Sequence, residues 1–145
     1  MIVSLQTTSR SLGLALACTL LALANEVRAA DLVLPQAKPV KLAGDFKFTE
    51  GPAVSANGDV YFTDIPNNRI HKWSASNKEL SIFAEETNGA NGLYFADDGR
   101  LFACQGNAKR VVAYSADGND TSSLAKRYDG KKFNKPNDLW IDLKG

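Results

Sequence analysis

One strand-turn-strand unit is written into this chain twice in full and begun a third time, and no other feature constrains the fold as much. From Glu50 the chain runs Glu50-Gly51-Pro52-Ala53-Val54, then Asn57-Gly58, then Val60-Tyr61-Phe62, then Asn68-Arg69-Ile70-His71-Lys72-Trp73. Moving forward 41 residues without a gap gives Asn91-Gly92-Leu93-Tyr94-Phe95, Asp98-Gly99, Leu101-Phe102-Ala103 and Lys109-Arg110-Val111-Val112-Ala113-Tyr114. A third copy opens 46 residues later with Asn137-Asp138-Leu139-Trp140-Ile141, which the repeat predicts to be a first strand.

Glu79–Ala84 and Ser123–Tyr128 supply an expected fourth strand to each unit. Four short strands on a period of this length are the signature of β-propeller blades, so an all-β fold is expected. Propellers close with four to eight blades. Residues 46–145 are therefore expected to form a partial β-propeller of about two and a half blades, the N-terminal portion of a larger fold whose sheet edges would otherwise be open.

The first thirty residues stand apart. Arg10 precedes an apolar run from Leu12 to Ala24, and small residues follow at Ala29 and Ala30. A run of about thirteen apolar residues falls short of the roughly twenty that span a bilayer, so residues 1–29 read as a secretory signal peptide, and no membrane anchor is expected. The expected location is periplasmic or secreted. Residues 30–45, with Pro35 and Pro39, read as an extended segment leading into the fold.

Cleavage after Ala29 removes Cys18, leaving Cys104 as a lone, buried thiol. It also takes Arg10, Arg28 and Glu26 from 17 basic and 16 acidic residues, leaving 15 of each. The mature chain is neutral and has no basic block longer than Lys131-Lys132. Neither nucleic acid nor an anionic membrane surface is expected as a partner.

Radial repetition turns equivalent positions of successive inner strands toward one axis. The position that opens each unit holds Glu50, Asn91 and Asn137, one carboxylate and two amides. Oxygen donors of this kind suit Ca²⁺ and, less often, Mg²⁺ or Mn²⁺. The same residues could equally serve structure alone, Asn91-Gly92 as a turn and Asn137 as a strand cap. His71 is the only histidine and sits in an alternating strand as a packed or surface residue, so a serine-histidine-acid arrangement is excluded. No glycine-rich phosphate loop, zinc-spaced Cys/His cluster or dinucleotide fingerprint is present.

Three stretches make the chain resemble the gluconolactonase family, which includes regucalcin (senescence marker protein). They are Phe48-Thr49-Glu50-Gly51-Pro52, Asn57-Gly58-Asp59-Val60-Tyr61-Phe62-Thr63-Asp64, and Tyr128-Asp129-Gly130-Lys131-Lys132-Phe133-Asn134-Lys135-Pro136-Asn137-Asp138-Leu139. Asn88-Gly89-Ala90-Asn91-Gly92-Leu93 and Asp98-Gly99-Arg100-Leu101 are similar to the second blade of bacterial members.

The resemblance implies a six-bladed propeller with one axial divalent cation, most often Ca²⁺, with Mg²⁺, Mn²⁺ or Zn²⁺ as substitutes. It implies Glu50 and Asn137 as metal ligands and Asn91 as a substrate-binding residue. A second asparagine and an axial aspartate, the expected general base, would lie beyond Gly145. The implied reaction is hydrolysis of a sugar lactone by the full-length protein, the 145-residue chain being expected to be inactive alone. Two readings stay open beside it: a non-catalytic propeller that binds a ligand or protein, and a hydrolase of another ester such as an organophosphate.

Overall fold

The computed structural model describes residues 36–142, so the expected signal peptide, with Cys18, and the last three residues lie outside the described part. Among the described residues there are ten strands and no helix. Two four-stranded antiparallel sheets follow one another along the chain. The first comprises β1 (Thr49–Val54), β2 (Val60–Asp64), β3 (Arg69–Trp73) and β4 (Leu80–Ala84), paired in sequence order. The second repeats that order with β5 (Ala90–Phe95), β6 (Leu101–Gln105), β7 (Arg110–Tyr114) and β8 (Thr121–Ala125). These are two propeller blades. A short hairpin, β9 (Arg127–Tyr128) with β10 (Lys131–Lys132), follows.

The 41-residue register holds nearly down to the irregularities. In β1–β2 the pairing slips between Glu50 and Ala53, and in β5–β6 it slips between Ala90 and Leu93, so each inner strand carries a bulge near its head, one residue earlier in the second blade. The outer pairs slip alike, between Ile70 and His71 and between Val111 and Val112. Left-handed backbone recurs as well, at Gly58 and Gly99 (φ 86° and 84°) in the first turn and at Asn68 and Lys109 (φ 56° and 54°) in the second. Equivalent bulges bend equivalent strands alike.

Alternation along the strands decides what lies between the blades. Tyr61 on β2 meets Phe83 on β4 and Phe95 on β5 edge-on, each with ring centroids 5.0 Å apart, and Phe83 meets Tyr114 on β7 at 6.0 Å. These rings close over Ile70, Leu93, Leu101, Ala103 and Val112, all nearly or wholly buried. Edge-to-face aromatic packing of this kind adds about 0.5–1.5 kcal/mol per pair beyond area burial. One apolar cluster thus joins both blades.

Two expectations need correction. The fourth strand of the second blade is Thr121–Ala125, not Ser123–Tyr128; Arg127-Tyr128 instead turns back through Asp129-Gly130 to pair with Lys131-Lys132. The Asp-Gly turn, with φ of 48° and 72°, captures those residues for a local hairpin. Nor do residues 137–141 form a strand. Asn137 accepts a single backbone bond from Gly92 N (2.7 Å), and no second strand lies beside the segment among the described residues to complete a ladder.

The face of the first blade turned away from the second holds His71, stacked on Phe62 (centroids 5.3 Å) and met edge-on by Phe46 (5.0 Å). It is packed, and its buried Nε2 has no hydrogen-bond partner. Beside it Asp64 is fully buried. Burial pushes its carboxyl up, but the Phe48 N–H (3.1 Å), the Asn67 amide (2.7 Å) and the Lys47 N–H (3.2 Å) outweigh that and hold it below the usual range. This carboxylate fastens the segment before β1 to the end of β2.

Burial lowers the His71 pKa, more than the nearby Asp64 charge raises it. A group whose folded pKa lies below its unfolded value of about 6.5 contributes stability that is complete above that value and is lost as pH falls toward the folded one. Urea denaturation between about pH 8 and pH 5 should therefore show stability falling over the acidic half of that range. His71→Phe should flatten the profile there; an unchanged profile would remove His71 as its cause.

Candidate functional site at the heads of the inner strands

The bulges place the chemistry. In each blade two consecutive residues of the inner strand fall where its neighbour has one: Gly51 and Pro52 in β1, directly after Glu50, which still pairs with Thr63, and Asn91 and Gly92 in β5. Glu50 is half-buried; its carbonyl accepts the Thr63 hydroxyl (3.0 Å), and Thr63 is itself fully buried. Its Oε2 lies 3.4 Å from Gly51 N. The backbone that carries Glu50 is thus held from β2, while the carboxylate stays at the surface of the strand head.

Glycine follows the opening residue in both complete repeats, and the structure shows why. A Cβ on Gly51 would overlap Asn91 O and stand 2.6 Å from Gly92 Cα, and one on Gly92 would overlap Asp138 Oδ1 and stand 2.7 Å from Asn137 O. Distances below 3.0 Å to backbone atoms cannot be relieved by turning a side chain. Each glycine therefore admits the next inner segment to backbone contact, and the three opening positions are brought together in sequence order.

Asn91 and Asn137 meet directly. Asn91 Nδ2 donates to Asn137 Oδ1 at 2.7 Å across 46 residues of chain, beside the backbone bond from Gly92 N to Asn137 O at 2.7 Å. Asp138 turns its Oδ1 to Leu139 N (2.9 Å). Glu50 joins the pair only through the contact of Gly51 with Asn91; its carboxylate makes no hydrogen bond to either amide.

Cys104 lies behind this group, fully buried, its thiol pushed up to about 11 by burial and by the charge of Asp138. A buried thiol raised in this way is a poor nucleophile at neutral pH. Among the described residues no three His, Cys, Asp or Glu side chains gather at one point. What the structure brings together is the two amides, Asn91 and Asn137, with Glu50 one residue from the contact; oxygen donors of these types fit a hard divalent cation and could supply part of the six to eight oxygens Ca²⁺ takes.

The profile of the SMP-30/gluconolactonase/LRE-like region matches residues 48–145. The chain belongs to this gluconolactonase family. The gluconolactonase of Zymomonas mobilis is 27% identical over 130 residues, which cover 79% of this chain and 36% of that protein. A gluconolactonase structure from Xanthomonas campestris superposes with a TM-score of 0.67 at 28% identity, covering 72% of this chain and 35% of that one. A second solved structure, of a protein assigned as a gluconolactonase, gives 0.68 at 33% identity over 73% and 37%. The chain therefore spans a little over a third of the length of these relatives. No helix among the described residues is long and apolar enough to cross a membrane.

Missing from the sequence reading was the Asn91–Asn137 hydrogen bond. The 41-residue period indicated a shared axis, but not that the third segment would lie against Gly92. The glycines at 51 and 92 were the available signal, since both follow an opening residue. Gly92→Ala should lower stability by about 1–3 kcal/mol, the usual cost of forcing atoms into a filled space. Urea denaturation measures this, and NMR should show the Asn91 side-chain amide losing its hydrogen-bonded shift.

Proposed function

We propose that the protein to which these blades belong hydrolyses a sugar lactone, such as an aldonolactone, at the heads of its inner strands. The observation that carries this reading is the convergence of Asn91 and Asn137, with Glu50 one residue from the contact, in a chain of the gluconolactonase family. In the reaction water adds to the ring carbonyl carbon, the bond from that carbon to the ring oxygen breaks, and the open hydroxy acid leaves.

Glu50 and Asn137 would hold a divalent cation, Ca²⁺ on the chemistry of the donors, and such an ion when bound supplies Lewis-acid polarisation of the carbonyl. The Asn91 amide fixes the orientation of the Asn137 carbonyl, whose oxygen keeps a second lone pair. Asn91 also has a second N–H with which to position a sugar hydroxyl. The general base is assigned by family resemblance to an aspartate outside these 145 residues. Export through residues 1–29 belongs to the same reading.

Lewis-acid polarisation is worth several kcal/mol, so losing one carboxylate ligand should lower kcat/KM by roughly two orders of magnitude or more. The test is Glu50→Gln in the protein carrying all blades, followed by acid release from an aldonolactone with and without a chelator. Activity indifferent to both changes would remove the cation from the mechanism and favour the plain binding propeller. The 145-residue chain alone, with three of the required oxygens, should release no acid above the uncatalysed rate.

A further inference from the structure

We propose that a cleft beside the strand heads, between the β6–β7 turn and the β9–β10 hairpin, is an anion site that takes the phosphate of a phosphorylated sugar lactone. The inference rests on the lactonase reading for the substrate's ring, but the cleft itself stands on separate observations.

Five cations line this space of about 470 Å³, and no carboxylate does: Lys109, Arg110, Lys126, Arg127 and Lys132. They come from two stretches of chain that the fold brings together. The ion pairs Arg69–Glu85, Lys72–Asp59 and Arg100–Asp98 involve none of them, and Arg127 donates from Nη1 to the Gly130 carbonyl at 2.8 Å. Like charges even face each other, since Lys132 is the direct cross-strand partner of Arg127. Such an arrangement is destabilising in a hairpin and is relieved by an anion lying between the two.

Arg110 is held in place from behind. Its Nε donates to Gln105 Oε1 at 2.7 Å, and Gln105, only 1% exposed, donates its own amide to Tyr114 Oη at 3.2 Å. A buried amide thus fixes one edge of the guanidinium, and among the described residues no protein acceptor meets its terminal N–H groups. That is the posture in which arginine takes two oxygens of a phosphate.

Comparison between the blades isolates what is particular to this corner. At Asn68 the first blade uses the side-chain carbonyl to accept Gly89 N (2.9 Å), pinning the linker to the next blade. The equivalent residue of the second blade is Lys109, with the same left-handed backbone, which favours Gly or Asn over lysine. A clamp has been exchanged for a charge. The cleft also borders the strand heads, because Gly106, which opens the turn, bonds Gly89 O at 3.1 Å and has its Cβ direction 3.9 Å from Pro136 O, next to Asn137.

Five positive charges around one space call for more than a monocarboxylate. A phosphate ester brings close to two negative charges and three acceptor oxygens. Isothermal titration of the chain with gluconate 6-phosphate and with gluconate tests this. The phosphate ester should bind at least about tenfold more tightly, on the scale of three exposed charge contacts. The triple variant K109Q/K126Q/K132Q should lose that advantage with an unchanged far-UV spectrum, and K109R/K126R/K132R should keep it. Equal binding of the two ligands, or a preference that survives the glutamine variant, would overturn the site.

Turnover separates this inference from the lactonase reading. If the phosphate preference is present but neither the phosphorylated nor the neutral lactone is hydrolysed by the protein carrying all blades, the anion site stands and the lactonase reading falls. If both lactones are hydrolysed with equal kcat/KM and no binding preference is seen, the reverse holds.

Discussion

Backbone contact between successive inner segments is the constraint on which the rest of this structure depends. At Gly51 and Gly92 the next segment comes so near that no side chain could stand between, and only this proximity lets groups 41 and 46 residues apart share one place. The bulges serve the same end, since in each inner strand the glycine falls within the irregular stretch where the ladder with the neighbouring strand is interrupted. Remove the close approach and the aromatic cluster of Tyr61, Phe83, Phe95 and Tyr114 could still join the blades, but Asn91 and Asn137 would no longer meet.

Within that common frame, the two blades put different chemistry at equivalent positions. Asp64 ends β2 as a buried carboxylate that gathers three N–H donors and fastens the segment before β1. Gln105 ends β6 at the matching place, where the incoming Asn88-Gly89 is already held by Asn68 and by the N–H groups of Gly106 and Asn107, and its amide reaches Tyr114 and Arg110 instead. A buried charge is tolerated only when its donors are supplied, and a neutral amide needs fewer. The change from Asp64 to Gln105 thus follows from what each blade has beside it, and it converts a structural clamp into a support for a surface cation.

The blades were legible because their signal is local and repeated: β-branched and aromatic residues alternating between Asn-Gly and Asp-Gly turns, twice in register. The fourth strand of the second blade was placed two residues late because Ser123–Tyr128 contains two competing pairings, β8 with β7 and Arg127-Tyr128 with Lys131-Lys132. Propensity does not rank them; the Asp129-Gly130 turn does. Residues 137–141 have the composition of a strand, but a strand exists only with a partner. Least legible was the basic cleft. Along the chain its cations are scattered from Lys109 to Lys132, with Asp117, Asp120 and Asp129 between them, so charge patterning showed no basic block longer than Lys131-Lys132; folding sorts the carboxylates elsewhere.

The make-up of the strand heads explains how they can be built before anything binds there. Three carboxylates in one place would repel one another and raise their pKa values, so that the site would hold its shape only with a cation present. One carboxylate with two amides avoids this. Asn91 and Asn137 satisfy each other with a hydrogen bond, and Glu50 remains at the solvent side with its backbone fixed through Thr63. Coordination by Asn137 would use the lone pair that Asn91 leaves free, so the bond formed in folding need not be broken in binding. The site is then organised by the same contacts that pack the blades, and its donors reach a ligand with little left to rearrange.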